Sequence, residues 1–127
     1  VLALARRRVG VDVERVRYLA DADGLVARYF SPAEGAAYRA LPECNRQAAF
    51  FRGWTNKEAV IKAAGATVAC LAEFDVELNP ERPPQVNAVR DPLLGGDGWA
   101  LVEWTDQGDA AVAVAIESRG AVLRQEG

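Results

Sequence analysis

Ala49–Gly65 reads AFFRGWTNKEAVIKAAG, and the fold turns on how this stretch is read. At 3.6 residues per turn, Phe50, Trp54 and Ile61 fall near one stripe, which Phe51 and Val60 widen. Glu58 and Lys62 are four apart, so their side chains share a face within one turn of each other. Ala59, Ala63 and Ala64 favour helix, and Gly65 supplies a left-handed stop just past the end. The spacing predicts an amphipathic helix over Cys44–Ala64 that presents Lys57, Glu58 and Lys62 above an aromatic footing. Gly53 inside it costs ~1 kcal/mol relative to alanine, which predicts close packing against another backbone.

Upstream, Val9–Glu14 reads VGVDVE and alternates cleanly. Val9, Val11 and Val13 point to one side of a strand, and Gly10, Asp12 and Glu14 to the other. Val1–Ala5 reads as a buried strand and Arg6–Arg8 as an exposed basic turn, so the two runs predict a hairpin. Asp21–Tyr29 is a short helical patch. Ser31-Pro32-Ala33-Glu34 is a helix start, with Ser31 as N-cap, Pro32 as first residue and Glu34 closing a capping box. That helix runs to about Ala40 and stops near Pro42.

After Gly65 the chain changes character. Phe74–Leu78, Gln85–Val89, Trp99–Trp104 and Ala110–Ile116 are short β-like runs between Pro-, Gly- and Asp-rich turns. Arg90–Gly98 reads as a loose loop and Arg119–Gly127 as a frayed tail. No internal repeat, low-complexity tract or linker interrupts the chain. The expected architecture over 1–127 is one α+β unit: N-terminal hairpin, long central helix, antiparallel meander.

Composition narrows the function. The 127 residues are 50% hydrophobic and 26% charged, which suits one soluble domain with a real core. A net charge of −3 gives no general pull toward nucleic acid or an anionic membrane. No apolar run approaches the ~20 residues needed to span a bilayer, and Val1–Ala5, apolar but short and followed by basic residues, does not read as a secretory signal. Cys44 and Cys70 flank the long helix region, ~30 Å or more apart, so they read as reduced thiols of a cytoplasmic protein. The absence of histidine removes histidine-activated nucleophiles and most zinc sites. There is no methionine, and the chain opens in strand-like sequence, which predicts that something precedes Val1.

The acidic residues carry the chemistry. Asp12 and Glu14 project from one strand face, roughly 7 Å apart along it. Two neighbouring carboxylates raise each other's proton affinity unless a cation sits between them. Mg²⁺ suits such a site, because it takes carboxylate and phosphate oxygens while keeping several waters. Glu58 is positioned to add a third carboxylate, and Lys57 and Lys62 to meet phosphates, which together make a diphosphate-handling site. Each element also has an ordinary meaning: a solvated sheet face, a surface ion pair contributing a few tenths of a kcal/mol, or core aromatics. A Mg²⁺-dependent diphosphate hydrolase would use the same groups.

Val9–Glu14, followed by Trp54-Thr55-Asn56-Lys57-Glu58-Ala59-Val60-Ile61-Lys62, resembles the paired signature of the Sfp-type 4′-phosphopantetheinyl transferases. The Phe30–Glu34 segment and the Phe74-Asp75-Val76 strand fit the same pattern, so the resemblance covers nearly the whole chain. It implies transfer of the phosphopantetheine arm of coenzyme A onto a serine of an acyl or peptidyl carrier protein, leaving adenosine 3′,5′-bisphosphate. By that resemblance Asp12, Glu14 and Glu58 bind Mg²⁺, and Glu58 deprotonates the attacking serine. Lys57 and Lys62 hold the pyrophosphate, Lys62 counting among the catalytic groups. Arg15, Arg17, Tyr18 and the helix around Leu25–Phe30 are the expected carrier-protein surface. Members of this type have two similar halves, and the basic and serine–histidine stretches of the first half are not found here. The chain is therefore expected to be a C-terminal half, with exposed apolar area that drives self-association. The alternatives are a non-catalytic half acting as a binding or assembly module, or a single-domain holo-acyl-carrier-protein synthase acting as an oligomer.

Overall fold

Alternating valines build the first strand, β1 (Val9–Arg15), in a computed structural model that describes residues 7–95, 98–106 and 108–118. Two short helices follow, α1 (Ala22–Tyr29) and α2 (Pro32–Ala40). The capping box at the head of α2 is present: Ser31 Oγ accepts from the Glu34 N–H, and the Glu34 carboxylate accepts from the Ser31 N–H. The long helix α3 (Glu43–Ala64) starts after Pro42 and ends on Gly65, whose φ of 71° is the left-handed stop. A 3-10 turn (Val68–Glu73), absent from the sequence-based expectation, leads to β2 (Phe74–Val76) and β3 (Val86–Val89). A short helix, α4 (Pro92–Gly95), occupies the stretch expected to be loose loop. β4 (Trp99–Asp106) and β5 (Ala110–Glu117) complete the described chain.

The class is α+β with antiparallel sheets, as expected, but the strands are shared out differently. The four C-terminal runs do not form one meander. β2 pairs only with β3 among the described residues, while β5 lies between β1 and β4 in a separate three-stranded sheet. The central strand explains this: Ala111, Ala113 and Ala115 of β5 sit opposite Glu14, Asp12 and Gly10 of β1 and leave room for a helix above them. The expected Val1–Ala5 strand and its hairpin, like the 119–127 tail, lie outside the described residues.

Helix α3 crosses the inner face of that sheet and, from Ala49 to Ala63, is packed on most sides. Ala49, Phe50, Phe51, Gly53, Thr55, Asn56, Lys57, Ala59, Val60, Ile61 and Ala63 are all buried. The amphipathic expectation is corrected accordingly, since apolar neighbours from sheet, α1 and β2 wrap the helix. Gly10 is where strand and helix meet most closely: a Cβ there would collide with the Ala59 carbonyl and the Ala63 backbone. Gly53 meets the side chains of Leu78 and Phe30 rather than another backbone, which corrects the reading of that glycine. On the sheet's outer face, Val9, Val11, Val13, Val102 and Trp104 are exposed. Cys44 and Cys70 are free thiols. Among the described residues, no helix is long and apolar enough to cross a membrane.

Candidate active site

Close packing at Gly10 fixes which residues of β1 and α3 face each other. Trp54, Glu58 and Lys62 are four apart and form one line along α3. Asp12 and Glu14, on the same strand face as Gly10, lie against that line. Lys62 Nζ donates to Asp12 Oδ1 at 2.7 Å. Asp12 is only 4% exposed, and its other oxygen, Oδ2, is buried without a hydrogen-bond partner among the described residues. A buried carboxylate oxygen left unpaired is costly, which sets this atom apart from the satisfied carboxylates of the fold.

The electrostatics agree with that geometry. Burial pushes the Glu14 carboxyl above its usual range, helped by a hydrogen bond and repulsion from Asp12, and opposed by Arg17 and the Trp54 indole. Burial likewise raises Glu58, the Asp12 charge adds to it, and Lys62 works against it. The hydrogen bond to Asp12 holds the Lys62 ammonium above its ordinary range, against burial. Glu14 and Glu58 thus each feel the Asp12 charge, and Lys62 is the cation among the three. Among the described residues no three ligand-type side chains are gathered into a ready-made metal cage. The unpaired Asp12 oxygen and the all-carboxylate donor set still fit a hard divalent ion that keeps water and phosphate oxygens as its other ligands.

Trp54 closes one end of the site. It is stacked on Phe50 with centroids 5.9 Å apart, Phe50 is stacked on Phe30 at 5.7 Å, and Tyr29 meets Trp54 edge-on at 5.8 Å. This aromatic run fixes the indole beside Glu14. It is the aromatic footing foreseen from the sequence, reached from α1 as well as α3.

Lys57 is not part of this cluster. Its side chain is fully buried, and its ammonium donates to both Glu34 oxygens, at 2.8 and 2.9 Å, and to the Phe74 carbonyl at 2.5 Å. Glu34 also accepts from the Ser31 and Val76 N–H groups. Burial pushes the Glu34 carboxyl up and the Lys57 ammonium down, and each partner opposes the other's shift. The placement of Lys57 beside Glu58 and Lys62 at a phosphate is therefore corrected. Adjacent helical residues point about 100° apart, and Lys57 faces α2 and β2 instead. Sequence reasoning found Glu34 as a helix cap and missed that it also receives a buried lysine.

A second network also went unforeseen. Arg52 and Asn56 of α3 both donate to the Glu103 carboxylate of β4, at 3.0 Å each, and Arg52 reaches the Arg82 carbonyl at 2.7 Å. The expected docking residues Arg15, Arg17 and Tyr18 are exposed, whereas Val26 and Phe30 of the Leu25–Phe30 stretch are buried in the core.

Comparisons with known proteins place the chain in a family. Residues 8–115 match the family model described as ACPS, the 4′-phosphopantetheinyl transferase superfamily. The chain is 35% identical over 114 residues to the 4′-phosphopantetheinyl transferase HetI of Nostoc sp., covering 90% of this chain and 45% of that protein. It thus spans about half the length of the curated relative it matches. Among solved structures, the holo-acyl-carrier-protein synthase of Thermotoga maritima superposes with a TM-score of 0.63 at 20% identity, over 85% of this chain and 61% of that one. The Neisseria meningitidis synthase gives 0.60 at 18% identity, over 85% and 94%. The Chronobacterium ammoniagenes synthase, solved as a coenzyme A complex, gives 0.59 at 23% identity, over 87% and 95%. With the family model spanning both the β1 carboxylates and the α3 line, the chain belongs to the 4′-phosphopantetheinyl transferase superfamily.

Proposed function

We propose that the chain carries the catalytic residues for Mg²⁺-dependent transfer of the 4′-phosphopantetheine arm of coenzyme A to a serine of an acyl or peptidyl carrier protein. The observation that carries this reading is the facing of Asp12 and Glu14 with the Trp54–Glu58–Lys62 line, centred on a buried, unpaired carboxylate oxygen. Family membership supports the reaction class, and the coenzyme A complex of the Chronobacterium ammoniagenes synthase supports the substrate.

In this reading Asp12, Glu14 and Glu58 hold the divalent ion. An ion held by these three carboxylates would supply charge neutralisation at the pyrophosphate oxygens. Glu58 takes the serine proton, directly or through water. The serine oxygen bonds to the phosphorus bearing the pantetheine arm. The bond from that phosphorus to the bridging oxygen breaks, and adenosine 3′,5′-bisphosphate leaves. Lys62 turns its ammonium to the leaving phosphate, where charge accumulates. Lys57, locked on Glu34, positions α3 rather than touching phosphate. Arg15, Arg17 and Tyr18 offer an exposed basic and aromatic surface to an acidic carrier protein.

The same reading makes the chain the C-terminal half of a two-half enzyme, with the exposed valine face of β1 covered by the other half. Coverage of 94% of the Neisseria meningitidis synthase supports a second reading, a single-domain synthase working as an oligomer. Light scattering separates either from an isolated module: association is expected, and a monodisperse monomer contradicts it. The test of the chemistry is mass-shift labelling of an apo carrier protein with coenzyme A and Mg²⁺. Glu58→Gln and Asp12→Ala each abolish labelling with the fold retained. Labelling near the unmutated level in either variant would falsify the assigned roles.

A further inference from the structure

Asp12 and Lys62 are unequal partners. Asp12 is buried on the strand, with Oδ1 on Lys62, the Glu14 carboxyl beside it, and Oδ2 without a hydrogen-bond donor among the described residues. Lys62 is half exposed, its side chain at 51%, and it enters the site from solvent at the last turn of α3. The lysine can therefore leave without disturbing packing, while the aspartate cannot. Around the ammonium stand Asp12 and Glu14 from β1 and Glu58 from α3, with Arg17 beyond Glu14. An ammonium at 2.7 Å from Asp12 Oδ1 occupies the space and neutralises the charge that a divalent ion needs.

Resting on the divalent-ion reading above, we propose that Lys62 is an internal counter-cation that makes ion binding at Asp12 conditional on a diphosphate-bearing ligand. Without an anion, Lys62 leaves Asp12 only for water, so the ion competes with a formed ion pair at short range. With a diphosphate present, the displaced ammonium gains a phosphate partner one turn from Glu58, and the penalty is offset. Ion and diphosphate then bind cooperatively, and by linkage each strengthens the other by the same factor. The free ion alone binds poorly, which keeps the carboxylates from being held in a metal-loaded but substrate-free state.

The test counts free Mn²⁺ by electron paramagnetic resonance with the full chain, with and without coenzyme A, subtracting a protein-free control for Mn²⁺–coenzyme A complexes. In the unmutated chain coenzyme A tightens Mn²⁺ binding about tenfold or more, within the usual range of coupling between sites. Lys62→Met binds Mn²⁺ alone about tenfold tighter than the unmutated chain, and coenzyme A then adds little. Lys62→Arg restores the coupling, because it restores a cation that must move. If Lys62→Met leaves Mn²⁺ affinity without coenzyme A within about twofold while both proteins bind the ion, the counter-cation role is overturned and the ion site stands. If neither protein binds Mn²⁺ with or without coenzyme A, the divalent-ion reading falls and this inference falls with it.

Discussion

Lys57 and Lys62 belong to one helix, and each meets a carboxylate at hydrogen-bond distance, yet the two pairs do opposite things. The Lys57–Glu34 pair is sealed: neither side chain is more than 2% exposed, and both Glu34 oxygens take backbone N–H donors as well as the lysine. Such a pair is structural, because every lone pair and proton is used and nothing can enter. The Lys62–Asp12 pair is open on the lysine side and unfinished on the aspartate side, where Oδ2 has no hydrogen-bond partner among the described residues. Distance alone does not distinguish them; satisfaction and exposure do. The lesson is that a short ion pair marks a working site only when one partner is free to leave.

The largest expected effect strikes the sealed pair. Lys57→Met leaves Glu34 buried without its cation, and costs about 3–5 kcal/mol in denaturant unfolding. The double variant with Glu34→Gln recovers part of that loss, because the uncompensated charge goes with it. A cost below about 1 kcal/mol for Lys57→Met contradicts the structural role. Next comes Tyr38, buried at 3% exposure with its hydroxyl on Asp23 at 2.9 Å. Burial first, then the Asp23 hydrogen bond and charge, raise the Tyr38 phenol from 10.0 to about 12. Because the folded value lies above the unfolded one, its stabilisation is complete below pH 10 and lost as pH rises through about 12. Tyr38→Phe should therefore flatten the stability loss over that window, by about 2 kcal/mol in chemical denaturation followed against pH. A slope unchanged by the substitution removes the tyrosine from the account.

Smaller effects sharpen the same contrast. Ser31→Ala removes the cap that shares Glu34 with Lys57, and is expected to cost about 1 kcal/mol by thermal unfolding. Lys62→Met should cost less than Lys57→Met, about 1 kcal/mol, because Asp12 stays buried and loses its cation while water reaches the place the half-exposed lysine vacates. A loss as large as that of Lys57→Met would erase the distinction between the two pairs.

How far the sequence reached depends on whether the signal was local. The alternation over Val9–Glu14, the capping box at Ser31–Glu34 and the end of α3 at Gly65 are set by neighbours in the chain, and all three are legible there. So is the placing of Asp12 and Glu14 on one strand face, which follows from the two-residue period. The strand order was not legible, because β5 pairs with β1 across most of the chain and no short-range pattern encodes that choice. Lys57 was misplaced although a helical wheel already separates it from Glu58 and Lys62. The spacing that groups all three as one presented set holds for Glu58 and Lys62, four apart, and fails for Lys57, one residue off that line. Its partner Glu34, in a different helix, declares itself only through a tertiary contact.

The central claim is that the carboxylates of Asp12, Glu14 and Glu58 share one divalent ion, with Lys62 moved from Asp12 to phosphate. Crystals grown with Mn²⁺ and coenzyme A, read by anomalous scattering, test it most directly. The account predicts one manganese peak bounded by those three carboxylates and the pyrophosphate, with the Lys62 ammonium on a phosphate oxygen. A manganese peak elsewhere, or Lys62 still seated on Asp12 Oδ1 beside bound coenzyme A, would contradict it.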